Sequence, residues 1–168
     1  MQEPPLPDCG CALFFGFDGT LTDIAAQPGA VRVPAVVPQR LSLLVRALGG
    51  AVAVISGRAV AEVELKPRRA SKGQAVRAFL DERPFRSRRP WVFGDDVTDE
   101  VAFETVLGLG GVAVKVGAGE SLAPYRLADP AALHDWLQRA VQSLGAARAT
   151  KVAQRRTCPA PCNRGTRT

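Results

Sequence analysis

The chain has 168 residues, 46% of them apolar and 23% charged, with a formal net charge of +6. That length suits one domain with a sizeable core, and the mixture is that of a globular protein rather than a fibrous or disordered one. The charge excess is local: Arg148, Lys151, Arg155, Arg156, Arg164 and Arg167 follow Gly145 with no acid among them, and the remaining 22 − 6 = 16 basic residues balance 16 acidic ones. A neutral body argues against a specific nucleic-acid protein.

No apolar run approaches membrane-spanning length, and MQEPPLPDCG is not a basic segment followed by an apolar one. A cytoplasmic protein with no membrane partner is expected; the oligomeric state is unreadable. The four cysteines form two terminal pairs, Cys9/Cys11 and Cys158/Cys162, whose spacings match no common zinc knuckle. They read as free thiols.

LFFGF (13–17) reads as a short strand apolar on both faces, the kind that a parallel sheet buries. Pro38 opens a helix with Leu41, Leu44, Val45 and Leu48 on one side, stopped by Gly49-Gly50. AVAVI (51–55) is a second buried strand, followed by Ser56-Gly57-Arg58. Ser71 caps a helix to about Leu80, with Val76, Phe79 and Leu80 as its apolar side. WVFG (91–94) is a third strand that runs into Asp95-Asp96, and Thr98 is the expected cap of the helix after it. VAVKV (112–116) is a fourth strand, and Asp129-Pro130 begins the last helix by cap and first-turn proline. Strand and helix in this alternation predict an α/β fold, doubly wound, with a mostly parallel sheet between two helical layers. Residues 1–11 read as an N-terminal extension, 12–144 as the domain, and 145–168 as a basic, disordered tail.

In such sheets ligands gather at the carboxyl ends of the strands. Asp18 follows the first strand, Ser56 the second and Asp95 the third. Taken singly, Asp18-Gly19 and Ser56-Gly57 are turns, Asp95-Asp96 is a helix entry, and Lys72 lies in a solvated basic stretch with Arg68, Arg69 and Arg77. Together they suit phosphate-ester cleavage, which needs a nucleophile, a proton donor for the leaving oxygen, and positive charge on the phosphoryl oxygens. Asp95, Asp96 and Asp99 offer carboxylates of the kind that hold magnesium. Lys72 and the Ser56 hydroxyl can hold phosphate oxygens, and Asp18 is free to act as acid and base.

FDGTLTDIAAQP, AVAVISGR, ELKPRRASKGQAVRAFL, VFGDDVTDEVAFE and GGVAVKVGAGESLAPYRLADPAALHDWL cover most of residues 12–140. In this order they resemble the haloacid-dehalogenase-like phosphatases, and within them the trehalose-phosphatases. The resemblance implies a Rossmann-like core and a magnesium-dependent hydrolase that converts trehalose 6-phosphate, a small sugar phosphate, to trehalose and phosphate. It implies Asp18 as general acid/base, with its carbonyl on the metal. Thr20 would support that loop, and Ser56, Gly57 and Arg58 would lie along the phosphate. Lys72 would be the stabilising cation, with Asp95, Asp96 and Asp99 as the acidic metal cluster.

Two departures stand out. The family's nucleophilic aspartate falls on Gly16, which cannot form an aspartyl-phosphate. The family's small cap domain is reduced to a direct join at about residues 59–63. These departures leave three expectations open: an impaired family enzyme, a non-catalytic remnant that serves binding or a partner surface, and a capless phosphatase for bulky substrates.

Overall fold

The computed structural model describes residues 2–23, 33–56 and 71–156. Five strands, β1 (Cys11–Gly16), β2 (Val52–Ile55), β3 (Arg89–Gly94), β4 (Val112–Val116) and β5 (Tyr125–Leu127), form one parallel sheet in the order β2-β1-β3-β4-β5. Four helices, α1 (Val36–Ala47), α2 (Lys72–Leu80), α3 (Val97–Gly108) and α4 (Pro130–Arg156), complete it. α1 packs on α4, and α2 packs on α3. The expected doubly wound α/β fold is the observed one.

The period of two along β1 sorts the core. Phe14 meets Phe85 and Phe79, at ring-centroid distances of 5.3 and 5.8 Å. Its neighbour Phe15 stacks on Phe93 at 4.8 Å, and Phe93 meets Trp136 of α4 at 4.7 Å. All of these except Phe79 are buried, which places a continuous aromatic core on both faces of the central strands. β2 lies on one side of β1 and β3 on the other, so the winding reverses between β1 and β3. A crevice opens at the carboxyl end of such a reversal.

Several boundaries differ from the sequence reading. β1 begins at Cys11 and stops at Gly16, leaving Phe17 in the turn. α1 starts at Val36, with Pro38 in its first turn, where a missing N–H leaves no bond unmade. Val45 faces outward and Val37 inward. β2 is an edge strand with Val54 44% exposed, not a buried one. β5 was not anticipated; three residues carry too little periodicity to read.

Both ends of the chain depart from the expected divisions. The segment read as an N-terminal extension is bound to the domain: Arg126 N donates to the Gln2 carbonyl at 3.0 Å, and Trp136 Nε1 to that of Pro5 at 3.1 Å. α4 continues through Arg156, well past Gly145, so the first part of the expected tail is helix. Alanine-rich sequence with straight-chain basic residues favours that outcome. Residues 157–168, with Cys158 and Cys162, lie outside the described residues; Cys9 and Cys11 are free thiols. No helix among the described residues is long and apolar enough to cross a membrane.

Candidate functional site

After Gly16 the chain turns back within a few residues, with Leu21 N and Thr22 N both donating to the Phe17 carbonyl, at 3.0 and 3.1 Å. Gly19 holds φ +67° there, and a Cβ on it would collide with the carboxylate of Asp95. Glycine thus serves the turn twice, by its left-handed backbone and by its lack of bulk. Across the crevice, Thr20 Oγ1 donates to Asp95 Oδ1 at 2.8 Å. The β1 and β3 loops are latched to each other at the switch point.

Asp96 is the N-cap of α3: its Oδ1 accepts from Asp99 N at 3.1 Å and from the Thr98 hydroxyl at 2.7 Å. The cap expected at Thr98 therefore falls two residues earlier, because the Asp96 carboxylate reaches the orphan amides of the first turn. Asp99 is 1% exposed and turned inward. Its Oδ1 accepts from Lys72 Nζ at 2.7 Å, and its Oδ2 from the amides of Asp95 and Asp96 at 3.1 and 3.3 Å. Lys72 Nζ also lies 3.7 Å from Asp96 Oδ1.

Asp18, Ser56, Lys72 and Asp96 line a single cavity of about 240 Å³, together with Phe17, Ile55 and Thr98. A water takes about 30 Å³ in the liquid, so a phosphate group and accompanying water fit. Asp95 sits at the adjoining edge, near enough for the charges of Lys72 and Lys115 to act on it. Beside Gly16 there remains a void of only about 10 Å³, lined also by Ile55, Lys72 and Asp99. A Cβ built on Gly16 would stand 2.7 Å from Thr20 Oγ1.

Burial raises the Asp95 carboxyl above its ordinary value, opposed by the Thr20 bond and by the two lysines. Burial likewise raises Asp99 against the pull of Lys72. For Asp96, burial pushes upward, but the Thr98 hydroxyl, Lys72 and Asp99 together outweigh it and the net shift is downward.

The acidic cluster expected for magnesium is thus not a ring of ligands. Both oxygens of Asp99 are used inside the protein, Asp96 caps a helix, and one oxygen of Asp95 is held by Thr20. Among the described residues no group of three or more His, Cys, Asp or Glu side chains is placed to hold a metal ion. The side chains present do not fit a magnesium site closed by carboxylates. Gly57, Arg58 and the join at about 59–63 lie outside the described residues.

Sequence reasoning missed Lys115, which is buried on β4 and donates to the Asp95 carbonyl at 2.5 Å. A lone charge inside the apolar strand VAVKV was the available signal. His134 meets the Leu21 carbonyl at 2.8 Å and ties α4 to the β1 turn.

The trehalose-phosphatase family model matches residues 61–131. The trehalose-6-phosphate phosphatase of Escherichia coli (strain K12) is 46% identical over 82 residues, which are 49% of this chain and 31% of that protein. The chain therefore spans about a third of the length of that relative. Among solved structures, the C-terminal domain of the C. albicans trehalose-6-phosphate phosphatase superposes with a TM-score of 0.64 at 14% identity, covering 79% of this chain and 92% of that one. The 3-deoxy-D-manno-octulosonate 8-phosphate phosphatase from Moraxella catarrhalis, solved with magnesium and phosphate, gives 0.58 at 17% identity, covering 84% and 92%. At such identities the structural likeness speaks for the fold. The chain is similar in sequence to the trehalose-phosphatases, over residues 61–131, and has the α/β fold of the haloacid-dehalogenase-like phosphatases.

Proposed function

We propose that this chain carries a trehalose-phosphatase-type site that still receives a phosphate monoester, with trehalose 6-phosphate as the family's substrate, but turns it over poorly or not at all. The observation that carries the reading is the meeting of Asp18, Ser56, Lys72 and Asp96 around one cavity at the strand ends, while Gly16 brings no side chain to it.

In this account the Lys72 ammonium and the Ser56 hydroxyl take phosphoryl oxygens. The Asp18 carboxyl stands where it can give a proton to a leaving alkoxide. The missing part is the oxygen that would attack phosphorus. Loss of a catalytic nucleophile commonly lowers turnover by about 10⁴–10⁶, leaving what binding and electrostatics alone supply. Magnesium, where bound, would neutralise phosphate charge; with Asp99 and Asp96 committed elsewhere and no carboxylate at 16, its hold on this chain is weak. The sequence at about 59–63 is too short to encode the family's small cap domain, so recognition would rest on the phosphate rather than on trehalose.

The catalytically silent alternative draws on one further observation. The Thr20 hydroxyl stands 2.7 Å from the point where a residue-16 Cβ would begin, so the site is packed around glycine rather than open for a side chain.

Calorimetric titration with trehalose 6-phosphate and glucose 6-phosphate tests the reading. Comparable binding of the two is expected, weakened at least about tenfold by Ser56→Ala together with Lys72→Gln, a loss of the size that charge-assisted hydrogen bonds carry. No binding of either ester, or release of phosphate at rates ordinary for an enzyme, contradicts it.

A further inference from the structure

The end of the sheet opposite the cavity, where the strands begin, is built from arginine. Arg88 ties it together, donating from Nε to the Pro84 carbonyl at 2.8 Å and from Nη1 to those of Cys9 and Cys11 at 2.9 and 3.3 Å. Arg86 Nε donates to the Asp81 carbonyl and Arg89 Nε to that of Gly110, each at 2.9 Å. Arg148 of α4 reaches the carbonyl of Arg46, at the foot of α1, at 2.9 Å. Arg46, Arg83, Arg86, Arg89 and Arg148 are all exposed.

The acceptors here are backbone carbonyls. Ion pairs among the described residues join Lys72 to Asp96 and Asp99, and Arg139 to Glu3; none neutralises an arginine of this end. Asp8, Asp81 and Glu82 share the surface, but Asp8 is turned to Gly10 N and to the Cys11 thiol. Beyond Arg148 the helix runs on through Lys151, Arg155 and Arg156, in a stretch with no acid.

We propose that this basal end docks the phosphate backbone of duplex nucleic acid, without regard to base sequence. A guanidinium has five N–H donors, and the carbonyls use only some of them, leaving others for phosphate oxygens. Side chains already held by a carbonyl lose less freedom on binding. No aromatic residue is among the exposed large apolar side chains of the described residues, so the surface has no platform for stacking unpaired bases. The sequence GAARATKVAQRR at the end of α4 contains a single large apolar residue, Val152, a composition poor in what a lipid surface or a protein interface core takes up. This surface lies at the end of the sheet away from the cavity.

Fluorescence anisotropy with a labelled mixed-sequence duplex of about 20 base pairs, over a potassium chloride series, tests it. Each phosphate contact contributes about −0.9 to the slope of log K against log salt, so four or five contacts predict about −4. A second duplex of unrelated sequence should bind equally. The pair Arg83→Glu/Arg86→Glu should weaken binding at least about tenfold and flatten the slope by about 2. The pair Arg46→Glu/Arg148→Glu, on the other flank of the same end, should do likewise, which separates lost contacts from a folding defect in either variant. Absence of binding at low salt overturns the proposal, as does binding indifferent to both pairs. Tighter binding to poly-glutamate, or to vesicles containing phosphatidylserine, than to the duplex also overturns it and makes the surface one for an acidic protein or a membrane.

Discussion

Thr20 uses one hydroxyl to settle two matters: it holds Asp95 Oδ1 at 2.8 Å and fills the space into which a side chain at position 16 would grow. Gly16→Asp therefore has to turn that hydroxyl aside before its carboxylate reaches the cavity. Its melting temperature should fall by about 2–4 °C, the shift that about 1 kcal/mol produces in a chain of this size. Thr20→Ser in the same background, free of the methyl group, should recover part of the loss by calorimetry. Asp95 carries the opposite cost. Burial raises its carboxyl, so the charged form is disfavoured by folding, and its contribution is fully favourable only below the ordinary carboxylate value and is lost as pH rises through the folded one. Asp95→Asn should accordingly stabilise the chain at neutral pH, with the advantage vanishing as the medium is acidified into the range where wild-type Asp95 is protonated. Urea unfolding across that range checks the sign. The aspartates were legible in the sequence as a set, but not their tasks. That Asp99 is an internal ion-pair partner depends on Lys72, 27 positions away, and no local pattern reveals it.

Capping is the lesson of the elements. α2 and α3 both begin with a reciprocal capping box, Ser71 with Gln74 and Asp96 with Asp99, and both boxes stand beside the cavity. Asp96→Ala should cost about 1 kcal/mol in chemical unfolding, and Asp96→Ser should restore most of it. If Asp96 were chiefly a metal ligand, its alanine variant would leave stability unchanged. Ser71 was readable because a serine precedes a plain helical run. Asp96 was misread in favour of Thr98 because two good capping residues lie two positions apart, and only the backbone, extended at Asp96, decides between them. The strands β1, β3 and β4 were legible because burial on both faces leaves continuous apolar runs. The exposure of β2 was not, since an edge strand and a central one share the same composition.

On the scale of the whole molecule the chain has two unlike ends: an acidic crevice where the strands finish and an arginine surface where they start. Among the described residues, Leu144 is the last buried one of α4. Removing residues from Ala146 onward should change the melting temperature by less than about 2 °C while abolishing most duplex binding. The central claim, however, is that the site can receive a phosphate monoester but lacks, at Gly16, the carboxylate that would attack phosphorus. Phosphate release from p-nitrophenyl phosphate and from trehalose 6-phosphate, with magnesium present, measures it in the wild-type chain, Gly16→Asp and Gly16→Asn side by side. The account predicts no release above background from the wild type or Gly16→Asn, and turnover raised at least about 10²-fold in Gly16→Asp with little preference for the trehalose ester. Brisk hydrolysis by the wild-type chain, or a folded Gly16→Asp as silent as Gly16→Asn, would contradict it.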